Sequence, residues 1–337
     1  MENKSSFGFA VFGCGTISDV HARAILEIEN AHFVGAADIV HSRAAAFAEK
    51  YGGVAFSDYS ELLASDEVDA VCICTPSGTH ADLAIEALQA GKNVVLEKPM
   101  AINVHDCDRI IEACRKTNRR LTVISQMRER PDIIRAKEII DSGKLGKIVL
   151  CNLQMKYYRP EEYYRGSWRG TKAMDGGGAL MNQGIHGIDI MSYLLGEIKE
   201  ESCQSLVRTS LHDIEVEDTA VAICEFRRGA LGMISATTSV YPGFSRVIEV
   251  CGSRGSIIIR DGQMERLVLA DENVDITYDI AESEGKSNNA VIDTEWHKRQ
   301  ICRFIKAIRG EEVPDLCDEY QGRIAVDLIE KIYNSTK

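Results

Sequence analysis

Short apolar runs alternate with helical stripes along the first third of the chain. The runs at 7–12, 32–37, 54–56, 69–74, 94–96 and 121–124 read as buried strands. Between them, Val20, Ala24, Ile25 and Ile28 recur at helical spacing, and helices are expected again at 42–51, 59–63, 81–89 and 104–116, with Gly91 stopping the fourth. Strands alternating with helices predict parallel βαβ units and a doubly wound α/β sheet of the Rossmann type.

The pattern changes after about residue 125. Pro131 suits the first turn of a helix running to 142, and a turn follows at 143–146. Strands are then expected at 148–158, 201–209, 219–226, 230–239, 245–251, 255–259 and 265–269, with Gly229, Gly243, Gly252 and Gly262 at turns. Such a run predicts an α+β unit built on a large, mostly antiparallel open sheet, one face on helices and the other free for a partner subunit. From 179 to 195 the spacing is helical: Met181, Ile185, Ile188 and Leu195 form an apolar stripe, and Asn182, His186 and Asp189 share another face. The stretch 271–289 is acidic and strand-poor, a loop or hairpin, and helices close the chain at 295–308 and 321–333. Two domains are expected, 1–125 and 126–337, with the last helix free to pack back on the first.

The chain has 337 residues, 45% hydrophobic, enough for two sizeable cores. Its formal net charge of -12 argues against nucleic acid and anionic membranes as partners. Eleven scattered cysteines without a CxxC pair read as reduced, buried thiols of a cytoplasmic protein, and no metal site is expected. The polar N-terminus lacks the apolar core of a secretion signal, and no apolar run approaches the roughly 20 residues of a membrane span.

Chemistry concentrates at strand ends. The run 7–12 ends in Gly13-Cys14-Gly15-Thr16-Ile17-Ser18 and opens a helix, the setting a dinucleotide fingerprint requires, although a plain tight turn has the same outline. Two glycines let the backbone approach a pyrophosphate at the helix N-terminus, and Ser18 replaces the third. Asp38 ends the second strand, twenty residues after Ser18, where an acid bonds the adenosine ribose hydroxyls and repels a 2′-phosphate. NAD is therefore favoured. Arg43 keeps NADP open, and a helix cap is the other reading of Asp38. The strand at 69–74 ends in Thr75-Pro76-Ser77-Gly78-Thr79-His80, that at 94–96 in Glu97-Lys98-Pro99-Met100, and that at 121–124 in Ser125-Gln126-Met127-Arg128. In an open parallel sheet ligands bind at these ends.

In this order and spacing, Gly13–Ile17, Cys74–His80 and Glu97–Met100 resemble the glucose–fructose oxidoreductase/inositol dehydrogenase/MocA family. The resemblance implies NAD(P)-dependent oxidation or reduction of a secondary alcohol on a sugar or cyclitol, in homodimers or homotetramers built through the second sheet. The cofactor contacts expected are Gly13, Gly15, Thr16, Ile17, Asp38, Arg43, Thr75, Pro76, Ser77, His80, Glu97, Lys98, Gln126 and Arg128. Lys98 is expected to touch both substrate hydroxyl and nicotinamide. From helix periodicity alone His186 reads better as a hydrogen-bonded core histidine; the resemblance makes it the proton acceptor or donor at the reacting hydroxyl. Many family members carry an aspartate four residues earlier, where this chain has Asn182, which can bond a hydroxyl but not take its proton. Lys98 and His186 are thus the catalytic candidates, and Arg169 and Asn182 join them as substrate contacts. Asp189 either orients the imidazole or makes a structural bond, and His297, at the start of its helix, either reaches the active site or, the better reading, is a solvated helix-end histidine. Trp168-Arg169-Gly170-Thr171 with Asn182–His186 resembles a branch containing nucleotide-sugar (UDP-N-acetylglucosaminuronate) 3-dehydrogenases, the alternative reading; there Arg169 or Arg165 would meet an acidic substrate or phosphates, against simple surface ion pairing. A non-catalytic NAD-binding sensor is the alternative of another class.

Overall fold

The computed structural model describes residues 5–280 and 293–336, which fall into two compact units. The first comprises 5–126 and 293–323, the second 127–280 and 324–336.

The first unit holds six parallel strands, β1 (Phe7–Phe12), β2 (Ala31–Ala37), β3 (Val54–Ala55), β4 (Ala70–Ile73), β5 (Asn93–Leu96) and β6 (Leu121–Val123), ordered β3-β2-β1-β4-β5-β6. β1, β4 and β5 are buried along their whole length, which is why they read as unbroken apolar runs rather than alternating ones. The helices are α1 (Thr16–Leu26), α2 (His41–Tyr51), α3 (Tyr59–Ala64), α4 (His80–Gln89) and α5 (Val104–Thr117). Local chemistry fixes their ends. The Asp58 side chain accepts from Glu61 N–H at 2.8 Å and starts α3; Asn103 accepts from Asp106 N–H at 2.8 Å and starts α5.

The returning segment carries α8 (Glu295–Ile308), whose apolar face of Ile301, Phe304 and Ile305 shares a core with Phe7, Phe9 and Ile25. Gln300 stitches this helix to the β6 end: its amide donates to Thr122 Oγ1 at 3.0 Å and Val123 O at 2.7 Å, and its Oε1 accepts from Ser125 N–H at 3.0 Å. Cutting Phe304 to alanine would cost about 3–5 kcal/mol.

The second unit is built on eight strands, β7 (Ile148–Lys156), β8 (Gln204–Arg208), β9 (Thr219–Glu225), β10 (Leu231–Thr237), β11 (Val247–Gly252), β12 (Gly255–Arg260), β13 (Gln263–Leu269) and β14 (Val274–Thr277). Their order is β14-β13-β12-β11-β7-β10-β9-β8, and every pair is antiparallel except β7 with β10. α6 (Pro131–Asp141) and α7 (Ile185–Leu195) belong to this unit, and α9 (Glu319–Asn334) starts in the last residues of the first unit's segment and continues in the second's.

The stretch 271–289, read as a loop or hairpin, begins with the return arm of a hairpin: β14 pairs antiparallel with β13, and its Asp275 meets Arg266 at 3.1 Å. The rest of that stretch, 281–289, lies outside the described residues. The helix read at 179–195 is two pieces, a π-helical stretch Ala179–Gly184 followed by α7.

Candidate active site

In the first unit the strand ends come into register. Phe12 pairs with Ile73, Ile73 with Leu96, and Leu96 with Val123, so the residues that follow each strand share one edge of the sheet. β1 and β4, neighbours here, lie where the strand order reverses, the position of a dinucleotide crevice. Gly13 adopts φ +86°, and a Cβ there would stand 3.0 Å from Cys74 O and Thr75 Cγ2, so both backbone freedom and space require glycine. Gly15 is exposed, and a Cβ on it would meet nothing within 4 Å; no side chain caps α1. The first N–H groups of α1 thus face open space beside Thr16 and Ile17, as anion binding needs. Ser18 is buried and its hydroxyl donates to Gly15 O, tying the turn in place of a third glycine.

Asp38 accepts from Cys14 N–H and Val40 N–H, both at 2.8 Å. The acid therefore anchors the glycine turn, and an ionised carboxylate keeps further lone pairs for ribose hydroxyls. Arg43 is exposed on α2. Pro76 begins the turn after β4, with Ser77 buried in it; Thr79 Oγ1 donates to Thr75 Oγ1 at 2.7 Å. His80 is buried between two carbonyls, Nδ1 2.7 Å from Pro99 O and Nε2 3.0 Å from Thr75 O, and so clamps the turn after β4 to the turn after β5. Burial lowers its pKa, the two carbonyls opposing. Lys98 follows β5 by way of Glu97, and the Lys98–Pro99 peptide is cis. Gln126 follows β6, and its buried Oε1 has no partner within the protein, an acceptor available to a ligand amide.

The second unit presents the π-helical stretch and the start of α7. Glu217 holds this stretch from behind. It accepts Gly178 N–H and Leu180 N–H at 2.8 Å and Tyr333 O–H at 3.0 Å, and burial pushes its carboxyl upward against those bonds. Asn182 Nδ2 donates to Asp175 Oδ1 at 2.7 Å, and Asp175 Oδ2 takes Gly170 N–H at 2.8 Å. Gln183 links Asn182 Oδ1 at 3.1 Å, Tyr163 O–H at 3.0 Å and Arg159 Nη2 at 2.8 Å. Arg169 lies 4.7 Å above the Tyr163 ring and 5.2 Å from that of Trp168. His186, on the first turn of α7, is half-buried.

With this geometry in hand, comparison with known proteins is decisive. The oxidoreductase family with an NAD-binding Rossmann fold matches residues 7–125, and the GFO/IDH/MocA C-terminal domain matches 133–258. The chain belongs to the GFO/IDH/MocA oxidoreductase family. A myo-inositol 2-dehydrogenase of Thermotoga maritima is 31% identical over 94% of this chain and 92% of its own length. An inositol 2-dehydrogenase of Rhizobium meliloti is 27% identical over 90% of each. The crystal structure of the WlbA dehydrogenase from Bordetella pertussis, in complex with NADH and UDP-GlcNAcA, has a TM-score of 0.85 at 31% identity, covering 98% of this chain and 96% of that one. The family resemblance read from the three strand-end motifs is borne out, and so is the expected fold class, a parallel sheet with helices followed by a mostly antiparallel one. The chain is an NAD(P)-dependent oxidoreductase.

Within that family, several expected residues have other occupations. Arg128 was expected at the cofactor; instead it is 3% exposed and bonds Asp189, itself 5% exposed, through Nε at 2.9 Å and Nη2 at 2.6 Å. A bidentate buried pair leaves little of the guanidinium for a ligand. The same pair corrects the polar stripe: Asp189 turns to Arg128 and Asn182 to Asp175, because the π-helical stretch breaks the 3.6-residue period between them. Glu97 is buried against His21 rather than presented at the edge. His297 is buried, not solvated. Arg165 is exposed and pairs with Glu161 at 3.3 Å, the surface reading. All eleven cysteines are free thiols, and no described helix is long and apolar enough to cross a membrane. Sequence reasoning missed Glu217, Asp175 and Gln183. Glu217 and Asp218 stand side by side just before β9, an acidic pair at a strand entrance, which was the available signal.

Proposed function

We propose that the chain is an NAD-dependent dehydrogenase that oxidises or reduces a secondary alcohol of a sugar, cyclitol or sugar derivative. The observation that carries this reading is the shared sheet edge on which Gly13–Ile17, Thr75–Ser77 and Lys98 lie, with open space at Gly15 and uncapped N–H groups on α1. The nicotinamide dinucleotide, when bound, supplies the hydride acceptor or donor. Asp38 bonds the ribose hydroxyls and repels a 2′-phosphate, while Arg43 is the residue that would serve NADP. Lys98 stays cationic and stabilises the alkoxide charge that develops on the reacting oxygen. His186 takes the proton, as the general base at the reacting hydroxyl. Asn182 bonds a neighbouring hydroxyl through its side-chain amide.

A second reading, a nucleotide-sugar 3-dehydrogenase, is favoured by Arg169 stacked beside Tyr163 and Trp168, with Arg159 5.3 Å from the same Tyr163 ring. Two guanidiniums on aromatic faces suit an acidic substrate. One experiment separates the readings: polyols, free sugars and UDP-sugars assayed by NADH absorbance. Turnover of polyols selects the first reading, turnover of UDP-uronates the second, and tight NAD binding without any turnover selects a sensor.

We also read the enzyme as a cytoplasmic homo-oligomer. Free thiols suit a reducing compartment. On the second sheet, Leu206 faces Val221 and Ile223 faces Met233, all exposed on the side away from the core, an apolar face fit for a second copy. Sedimentation tests it: a monomer at micromolar concentration contradicts it.

A further inference from the structure

Three titratable side chains meet in the core of the first unit, directly behind the turn that carries Lys98. His21 comes from α1, Glu97 from the end of β5 and His297 from the first turn of α8, and they are 0%, 6% and 0% exposed. His21 Nε2 lies 2.8 Å from Glu97 Oε1. His297 Nε2 lies 3.7 Å from the same oxygen, just beyond hydrogen-bond reach. The other oxygen, Oε2, accepts the backbone N–H of Lys98 at 3.2 Å. Among the described residues, His21 Nδ1 and both ring nitrogens of His297 have no hydrogen-bond partner. Buried polar atoms are nearly always bonded, so orphans gathered at one carboxylate call for a role.

The three ligand atoms lie within 4.8 Å of one another, a spacing that also suits a divalent cation. Two features weigh against an ion. His21 and Glu97 already touch as a hydrogen-bonded pair. An imidazole that holds a metal also hands its second N–H to a partner, and neither His21 Nδ1 nor His297 Nδ1 has one.

The charges around Glu97 favour a carboxylate instead. Cys72 and Cys74 face His21 from β4 and its end, His80 and Lys98 stand at the neighbouring turns, and Asp293 precedes α8. Burial alone would push the Glu97 carboxyl up; the hydrogen bond to His21 and the nearby imidazole of His297 overcome it and hold Glu97 well below the usual range. Burial keeps His297 below its ordinary value, so it stays neutral at pH 7. His21, despite its burial, is held well above its own. Cys74 and Cys72 lie beside it on the β4 side, and the Glu97 carboxylate stands 2.8 Å from its Nε2.

We propose that His297 is a positioning residue for hydride transfer: together with His21 it holds Glu97 in place, and Glu97, through the Lys98 N–H, fixes the backbone from which Lys98 reaches the reacting oxygen. The proposal rests on the dehydrogenase reading. It gives α8, from the far end of the sequence, a part in the chemistry beyond packing.

The test uses the NAD-bound protein with His297→Leu, His297→Gln and Glu97→Gln. His297→Leu should lower kcat roughly 10–100-fold, the scale of a small misplacement, with KM and NAD affinity within about twofold. The acidic limb of its pH–rate profile should move to higher pH, because Glu97 loses a group that keeps it ionised. His297→Gln, whose amide N–H can reach Glu97, should restore most of both. Histidine-selective nitrogen NMR, which needs no substrate, should find His21 doubly protonated through pH 8 and neutral in Glu97→Gln. An unchanged kcat and acidic limb in folded His297→Leu overturns the proposal, as does a neutral His21 at pH 7 or a stoichiometric metal removed by chelation. Absence of turnover in the parent overturns the dehydrogenase reading and this proposal with it; turnover in the parent with an unaffected His297→Leu overturns this proposal alone.

Discussion

The two groups proposed to handle charge and proton stand on supports of different kinds. Lys98 follows β5, a strand buried throughout and paired in register with β4 and β6. Many bonds of similar weight set its place. His186 opens α7 after a π-helical stretch, and that stretch is tied by a few side chains from elsewhere in the chain, Glu217 at its start, Asp175 at Asn182 and Arg159 at Gln183. A parallel sheet brings functional groups to its edge as a consequence of its topology. A helix start that departs from the 3.6-residue period needs a named anchor elsewhere in the chain. The difference predicts where each unit is fragile: the first through its many-sided core, the second through single contacts.

Substitutions sharpen or break that contrast. The largest effect on turnover is expected from His186→Ala, a loss on the order of 10³ in kcat with the neutral limb of the pH profile removed. Lys98→Ala should cost roughly 10²–10³ in kcat. In both, NAD affinity measured by fluorescence titration should stay within a few-fold. Next comes Glu217→Ala, which strands two buried N–H groups and the Tyr333 hydroxyl; about 3 kcal/mol should be lost in urea unfolding, with kcat falling alongside. A Glu217→Ala protein of unchanged stability would mean the π-helical stretch is held by something else. Smaller still, Asp38→Ala should weaken NAD binding about tenfold while NADP binding holds or improves.

The two buried glutamates also respond to pH in opposite directions. Glu97 has a lowered folded pKa, so it stabilises the fold in full above the unfolded value of 4.5 and loses that contribution as pH falls from there through the lowered folded value. Glu217 has a raised one, so folding favours its protonated form and its contribution declines as pH rises past 4.5. Glu97→Gln should therefore flatten acid unfolding followed by circular dichroism, and Glu217→Gln should steepen it.

The first unit was legible in the sequence because its physics is local and repetitive. Each buried strand is an unbroken apolar run, each turn carries its own signal, and Gly13 or Asp38 announces its place by type and spacing. The second unit was legible only as far as strands and turns. β14 carried only a hairpin signal, because an exposed edge strand such as Val274–Thr277 needs no apolar face. The break at Ala179–Gly184 was lost because its cause, Glu217, lies far along the chain. Arg128 and Asp189 were read one at a time, one for the cofactor and one for His186; only the fold reveals that they satisfy each other. His297 was misjudged for the same reason, since its burial depends on α8 packing on the first unit's core.

The central claim of the proposed mechanism is that Lys98 and His186 work as one device, Lys98 on charge and His186 on the proton. The most direct measurement is kcat/KM of the Lys98→Ala/His186→Ala double variant against the two single variants, on whichever substrate the panel identifies. Groups that work as one device are strongly non-additive, so the double variant should be little worse than the poorer single. Losses that multiply in full would contradict the claim and assign the two residues to independent tasks.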